Sequence, residues 1–309
     1  MNCSQTPDFV LLGLSNDPEK VQFLFGLFLA LYLLGLIGNL LLLLAIAADV
    51  HLRTPMYFFL SQLSLVGLCF TTTTAPKLLE ILWTGNGSIF FSGCLTQLYF
   101  FAVFADMDNL LLLVMALDHY AAICHPLRYP LLMTPCSCGV LVGGSWGVAH
   151  SISLVHILLL SQLSFYTNQK IPHFFCDFGP LLWLSCSDAH FNEDLMMALA
   201  GLLGISPLLC IIGSYVHIFC AVSRVPTAQG KRKALTTCSS HLSIVVLFYS
   251  TVFATYLKPS STSYSSEELI SSIMYTLVTP TLNPFIYSLR NKNVKSSLKT
   301  ILSMESSQD

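Results

Sequence analysis

The stretch "LTQLYFFAVFADMDNLLLLVMALDHY", residues 95–120, decides how the chain folds. It is too apolar for a water-facing helix, yet it carries Asp106 and Asp108 in its middle and closes on Asp118, His119 and Tyr120. About 20 apolar residues, each rising 1.5 Å, cross the roughly 30 Å hydrocarbon core of a bilayer. A carboxylate inside such a span must face a bundle interior rather than lipid. Similar windows recur at 23–48, 57–79, 139–161, 195–222, 238–257 and 268–289, which with 95–118 makes seven spans. The expected fold is all-α, a seven-transmembrane helix bundle. The last window, with its serines, threonines and two prolines, suits a helix buried among others better than one facing lipid.

Composition agrees with the spans. Of 309 residues, 54% are hydrophobic and 10% charged, and the mean hydropathy of +0.69 excludes a water-soluble globule. A formal net charge of −2 gives no electrostatic ground for nucleic-acid binding. The short connections leave no room for an enzyme module, and no internal repeat of the transporter kind is visible. Ten basic residues (Arg53, Arg128, Arg224, Lys231, Arg232, Lys233, Arg290, Lys292, Lys295, Lys299) fall on one side of the bilayer and four (Lys20, Lys77, Lys170, Lys258) on the other. That bias predicts an outer N-terminus and a cytoplasmic C-terminus. The sequons Asn2-Cys3-Ser4 and Asn86-Gly87-Ser88 both fall on the outer side, as candidate glycosylation sites. Residues 1–22 read as an outer tail, 23–290 as the membrane bundle and 291–309 as a cytoplasmic tail. In that tail Val294, Leu298, Ile301 and Leu302 share one helical face and Lys292, Lys295 and Lys299 another, the pattern of a short amphipathic helix on the inner leaflet.

Asn283-Pro284-x-x-Tyr287 lies near the inner end of the last span, where proline removes a backbone donor and frees a carbonyl that needs a side-chain partner. Taken with Gly38-Asn39 in the first span and the Asp118–Tyr120 triplet, it resembles the rhodopsin-like G-protein-coupled receptors. The segments "TPMYFFLSQLS" (54–64), "MALDHYAAICHPLRY" (115–129), "SY" (214–215), "KALTTCSSHL" (233–242) and "PTLNPFIYSLRNK" (280–292) narrow the resemblance to the olfactory receptor family, tetrapod type. The motifs run from residue 38 to 292, and their combination and order are specific.

That resemblance implies an odorant receptor of the plasma membrane, not an enzyme and without cofactor. It would bind a small organic odorant and signal through a heterotrimeric G protein of the olfactory stimulatory type to adenylyl cyclase, with membrane lipid as its other partner. It implies a Cys94–Cys176 disulfide, and a cysteine committed there cannot serve His173-x-x-Cys176-Asp177 as a metal ligand, so no metal is expected. In the family Cys186 bonds within its loop, but Tyr166 stands where the partner belongs; Cys186 is then unpaired, or bonded to Cys3 if the tail reaches it. The ligand stripe carried over is Phe101, Ala102, Ala105, Asp106 and Asn109, facing Leu199, Leu203, Tyr249, Val252, Phe253, Tyr256, Ile273 and Thr276. Absence of lysine from 267–289 excludes a retinal Schiff base, and Phe101 stands where an aminergic receptor wants a carboxylate. The switch residues implied are Asp118, His119, Tyr120, Tyr215, Asn283, Pro284 and Tyr287.

Two departures touch the switch. His119 replaces the usual arginine; its shorter reach and missing five-donor fork should leave arginine's contacts, including that to Tyr215, unreproduced. Gly67 replaces an aspartate and leaves Asp108 without its acidic partner at an interior sodium position. A weakly coupled member of the family is therefore one alternative, and a seven-helix transporter or channel using Asp106 and Asp108 is another.

Overall fold

Proline at the first turn starts three of the long helices, because its missing N–H is unpaired there in any case and its φ is already helical. In the computed structural model, which describes residues 3–5, 7–14, 17–166, 170–256, 266–290 and 292–305, α1 spans Pro18–Ala48, α2 Pro55–Thr84 and α4 Pro135–Leu160. The others are α3 (Phe91–Cys124), α5 (His190–Ser223), α6 (Ala228–Tyr256) and α7 (Glu267–Ser288). These seven are long and apolar enough to cross a membrane. An eighth helix, α8, covers Lys292–Glu305.

Several helices outrun the apolar windows. α1 begins five residues before the expected 23, where Asp17 caps it by accepting from the Glu19 N–H. α6 begins ten residues before 238, through the polar run from Ala228. Hydropathy sees only the part immersed in lipid, whereas the i→i−4 ladder continues wherever no breaker intervenes.

α3 is the axis of the bundle, with 61% of its apolar window buried against 11% for α5 and 22% for α1. α1 meets α7 closely because its glycines present no side chain: a Cβ on Gly38 would stand 3.2 Å from Pro284 Cγ. Pro284 cannot donate to the carbonyl of Pro280, four residues back, and Asn39 of α1 supplies the missing donor at 3.2 Å. The expectation that this carbonyl needs a side-chain partner is met by a named atom.

The tail before α1 is built into the protein. β2 (Phe9–Leu11) lies between β3 (Ser88–Ile89), antiparallel, and β5 (Lys170–Ile171), parallel. Phe9 and Leu11 are buried, and Phe9 sits among the rings of Phe91 and Phe165. Gly87 must be glycine, since a side chain there would collide with the Leu11 carbonyl. β1 (Cys3–Ser4) pairs antiparallel with β4 (Phe165–Tyr166) and sets Cys3 opposite Tyr166. The open question over Cys186 is resolved: it bonds Cys3, while Cys94 bonds Cys176. Asn86 is exposed, with its side chain accepting from the Ser88 N–H at 3.0 Å; Asn2 lies outside the described residues.

At the opposite end α8 packs on the turn between α1 and α2. Val294 is fully buried, Leu298 is half-buried, and Lys295 and Lys299 are exposed, as the amphipathic pattern predicts. The side chains of Lys292, Ile301 and Leu302 lie outside the described residues. Ser297 donates to Asp49, and that hydroxyl with the His51 N–H holds the Asp49 carboxyl below the usual carboxylate range.

Because Cys3 lies across from Tyr166, the bridge can be moved. Cys3→Ser should lower stability by about 2–4 kcal/mol and leave Cys186 alkylatable; adding Tyr166→Cys should return the bridge to the loop and recover most of the loss. Thermal unfolding with non-reducing peptide mapping checks this, and an unreactive Cys186 in Cys3→Ser would contradict the pairing.

Candidate functional site

The α3 stripe passes from a large ring through two alanines to two polar side chains. Phe101 is buried among Phe70, Phe175 and Tyr275, with ring centroids 5.3, 4.8 and 6.1 Å away. Ala102 beside it, and Ala105 and Asp106 about one turn further on, are half-buried. Asn109, a turn deeper still, ties three helices: its Nδ2 donates to the Leu203 carbonyl of α5, and its Oδ1 accepts from the Tyr249 hydroxyl of α6 at 2.6 Å. The Leu203 carbonyl is available because Gly201–Ile205 is a π-helical turn, which displaces the ladder by one residue.

The remaining expected ligand residues divide. Phe253 packs on Tyr249 at 5.8 Å, and Val252 and Ile273 are partly buried against the core. Thr276 is buried with its hydroxyl turned to the Ser272 carbonyl of its own helix. Leu199 is half-buried. Tyr256 is 47% exposed; it lies beside Tyr275 and donates to Asp177 rather than pointing deep into the bundle. Phe175 and Tyr275, absent from the stripe read off the sequence, are its aromatic centre. Phe175 lies in a loop, where helical spacing carries no information; Tyr275 lies on a π-helical turn, Met274–Val278, which shifts the face it presents.

About 15 Å further along α3, ten residues at 1.5 Å each, the same three helices are tied again. His241 of α6 has Nε2 3.0 Å from the Leu112 carbonyl; a carbonyl only accepts, so Nε2 carries the proton. In the neutral ring Nδ1 then accepts from the Tyr215 hydroxyl of α5, at 2.8 Å. With its proton so used, the Tyr215 oxygen accepts from His119 Nδ1–H at 3.2 Å. The loop of bonds runs from α3 through α5 and α6 back to α3.

This corrects the expectation that histidine would leave arginine's contact with Tyr215 unmade. The phenol spans the gap, and a neutral donor replaces a charged one. Asp118 is not paired with its neighbour: it accepts from the Tyr129 hydroxyl at 2.8 Å. Tyr120 meets His125 at 3.2 Å. His241 was visible as a histidine in an apolar run, but only its approach to Leu112 and Tyr215 assigns it a role.

Asn283 is buried in α7, and Tyr287 turns its hydroxyl to the Met115 sulfur of α3 at 3.9 Å. Gly67 leaves space beside Asn39: a Cβ there would lie 3.6 Å from Asn39 Oδ1, an ordinary contact. Asp108 is buried, and among the described residues its Oδ1 has no hydrogen-bond partner.

The loop carrying Cys176 closes the end nearest Phe101. Gln97 of α3 accepts from the Cys176 N–H and donates to the Thr73 carbonyl of α2. His173 is buried, stacked on Phe174, and 3.2 Å from the Ser272 hydroxyl of α7. Asp177 caps the short helix Phe178–Trp183.

Residues 28–305 match the olfactory receptor family. The chain is 52% identical to olfactory receptor 1f45 of Rattus norvegicus over 303 residues, which covers 98% of this chain and 97% of the relative. It is 50% identical to olfactory receptor 1F1 of Homo sapiens and to olfactory receptor 1M1 of Mus musculus, each over 97% of this chain and 96% of the relative.

His173 and Asp177 respond to acid with opposite sign. Burial holds His173 down at about 3, so the stability its neutral ring supports is present above pH 6.5 and lost as pH falls toward 3. Burial raises Asp177 to about 6, against hydrogen bonds from Phe178 and Tyr256, so its contribution grows as pH falls from 6 to 3.8. The two offset each other in that window. The native loop should keep constant hydrogen-exchange protection from pH 6 to 3.8, whereas Asp177→Asn should loosen steadily below pH 6.5. Equal acid sensitivity of the two proteins would refute the compensation.

Proposed function

Since the chain belongs to the olfactory receptor family of G-protein-coupled receptors, we propose that it holds a small, mostly apolar odorant beside Phe101, Asp106 and Asn109. We propose further that it signals from the His119 end, through the stimulatory G protein of the olfactory type, to adenylyl cyclase. One observation carries this reading: α3, α5 and α6 are joined twice, at Asn109–Tyr249–Leu203 and at His119–Tyr215–His241. A ligand that shifts the first junction strains the second, because both bind the same three rigid helices.

The chemistry of the first junction suits a neutral guest. Rings and small side chains supply dispersion, and Asn109, Tyr249 and Asp106 supply one or two hydrogen bonds. A ligand of about ten heavy atoms at roughly 0.6 kcal/mol each gains about 6 kcal/mol, a dissociation constant of some tens of micromolar. Two disulfides at the Phe101 end belong in an oxidising compartment, which supports an outer N-terminus and a plasma-membrane receptor whose His119 end faces the cytosol.

His119 supports a second reading, a receptor that binds ligand but couples weakly. A neutral hydrogen bond contributes about 1 kcal/mol, and one to a charged group about 1.5–3, so replacing arginine's charged contacts by one neutral bond costs the active state on the order of 1–3 kcal/mol. That is roughly 5- to 150-fold in population.

Cyclic AMP responses of the native chain and His119→Arg to an odorant panel, at matched surface expression, test both readings. The arginine variant should raise the maximal response about fivefold or more. Equal responses would show that His119 does not limit coupling, and silence of both proteins to every odorant would count against the receptor reading.

A further inference from the structure

The contact that seats α8 on the turn between α1 and α2 includes one group whose chemistry can be exchanged. Val294 is buried and Leu298 half-buried, while Lys295, Ser296 and Lys299 are exposed. Between these two faces the Ser297 side chain turns inward, only 6% exposed, and donates its hydroxyl to Asp49. Asp49 caps the end of α1 and also accepts from the His51 N–H at 2.8 Å. Those bonds hold its carboxyl below the usual carboxylate range, so at neutral pH it carries a full negative charge.

A serine can make this bond only while it keeps its hydroxyl hydrogen. A phosphate ester at the same oxygen has no hydrogen to give and brings roughly two negative charges against the carboxylate. The sequence around it reads Lys295-Ser296-Ser297-Leu298-Lys299, with a lysine two residues to each side and leucine next to it. A serine kinase whose substrate cleft is acidic, with an apolar slot beside the acceptor, is complementary to that arrangement. While α8 is docked, Ser297 is shielded. A helix of 14 residues joined to the bundle beyond the last span opens at low cost, which presents the hydroxyl.

We propose that Ser297 is a phosphorylation site that holds α8 off the α1–α2 turn once it is modified. In the transfer an O–P bond forms at Ser297 Oγ, the bond from the γ-phosphorus of ATP to its bridging oxygen breaks, ADP leaves and the hydroxyl proton is released. Repulsion from Asp49 then opposes return of the helix, and removal of the phosphate restores the seat. The proposal rests on the cytosolic placement of the His119 end given above, and needs neither an odorant nor a G protein. Purified protein is open on both faces, so a test on it stands or fails apart from that placement.

The purified full chain, incubated with ATP and the catalytic domain of a lysine- and arginine-directed serine kinase, tests it through mass-spectrometric site mapping and hydrogen exchange over residues 293–299. Phosphate should appear on Ser297, about fivefold faster in Asp49→Asn, which keeps the cap but removes the charged acceptor. The phosphorylated protein and Ser297→Glu should each lose about tenfold or more of the protection over 293–299, with exchange in α1–α7 unchanged. Ser296→Glu, which places the same charge one residue away on the exposed face, should keep that protection. A Ser297 left unmodified even in Asp49→Asn would overturn the proposal. So would an equal loss in Ser296→Glu, which would mark a general effect of charge on α8, or protection that is unchanged or increased by the phosphate.

Discussion

Every backbone carbonyl that loses its helical partner inside a membrane must find another donor, because no bulk water is there to supply one. Pro284 creates that need at Pro280, and Asn39 meets it from α1. This bond fixes the rest of the bundle's seam. It requires α1 to lie close enough for a short side chain to reach α7, which the bare faces of Gly35 and Gly38 permit. Asn39 also donates to the Gly35 carbonyl of its own helix, which holds the amide in place. Proline in the last span and glycine-asparagine in the first are therefore parts of one contact separated by 241 residues of chain.

The polar side chains of α3 serve a different purpose. Asn109 satisfies the Leu203 carbonyl at the π-helical turn of α5, and together with His119 it joins α3 to α5 and α6 at two depths. Few other groups in an apolar bundle have directional preferences, so these two junctions hold the three helices in register where dispersion alone would let them slide. Substituting histidine for arginine at the lower junction preserves the link through the reach of the Tyr215 phenol and removes a permanent charge from it. A neutral junction is easier to bury and offers less to an acidic or carbonyl-rich partner.

The disulfide end shows how one lost residue can be compensated elsewhere in the chain. Tyr166 stands where the resemblance implies a half-cystine, and the strand pairing of the tail sets Cys3 opposite it, within reach of Cys186. Its consequence is mechanical: the tail, two loops and α3 become a single cap, with Phe9 and Leu11 buried beneath it. The tail before α1 thus contributes part of the core.

The sequence by itself determined the seven helices and their family, the helices because lipid imposes a length and a polarity that can be read one residue at a time, and the family because its motifs stand in order along the chain. Asn39, His119, Tyr215, Pro284 and Cys94 with Cys176 were all legible as types in places. Only the tertiary structure decided what each one touches. It decided that Cys3 completes Cys186, that His119 reaches Tyr215 while Asp118 turns to Tyr129, and that Phe175 and Tyr275 fill the centre of the stripe. These outcomes depend on loops, π-helical turns and strand register, which set where a side chain points relative to a distant segment, and hydropathy carries no record of that.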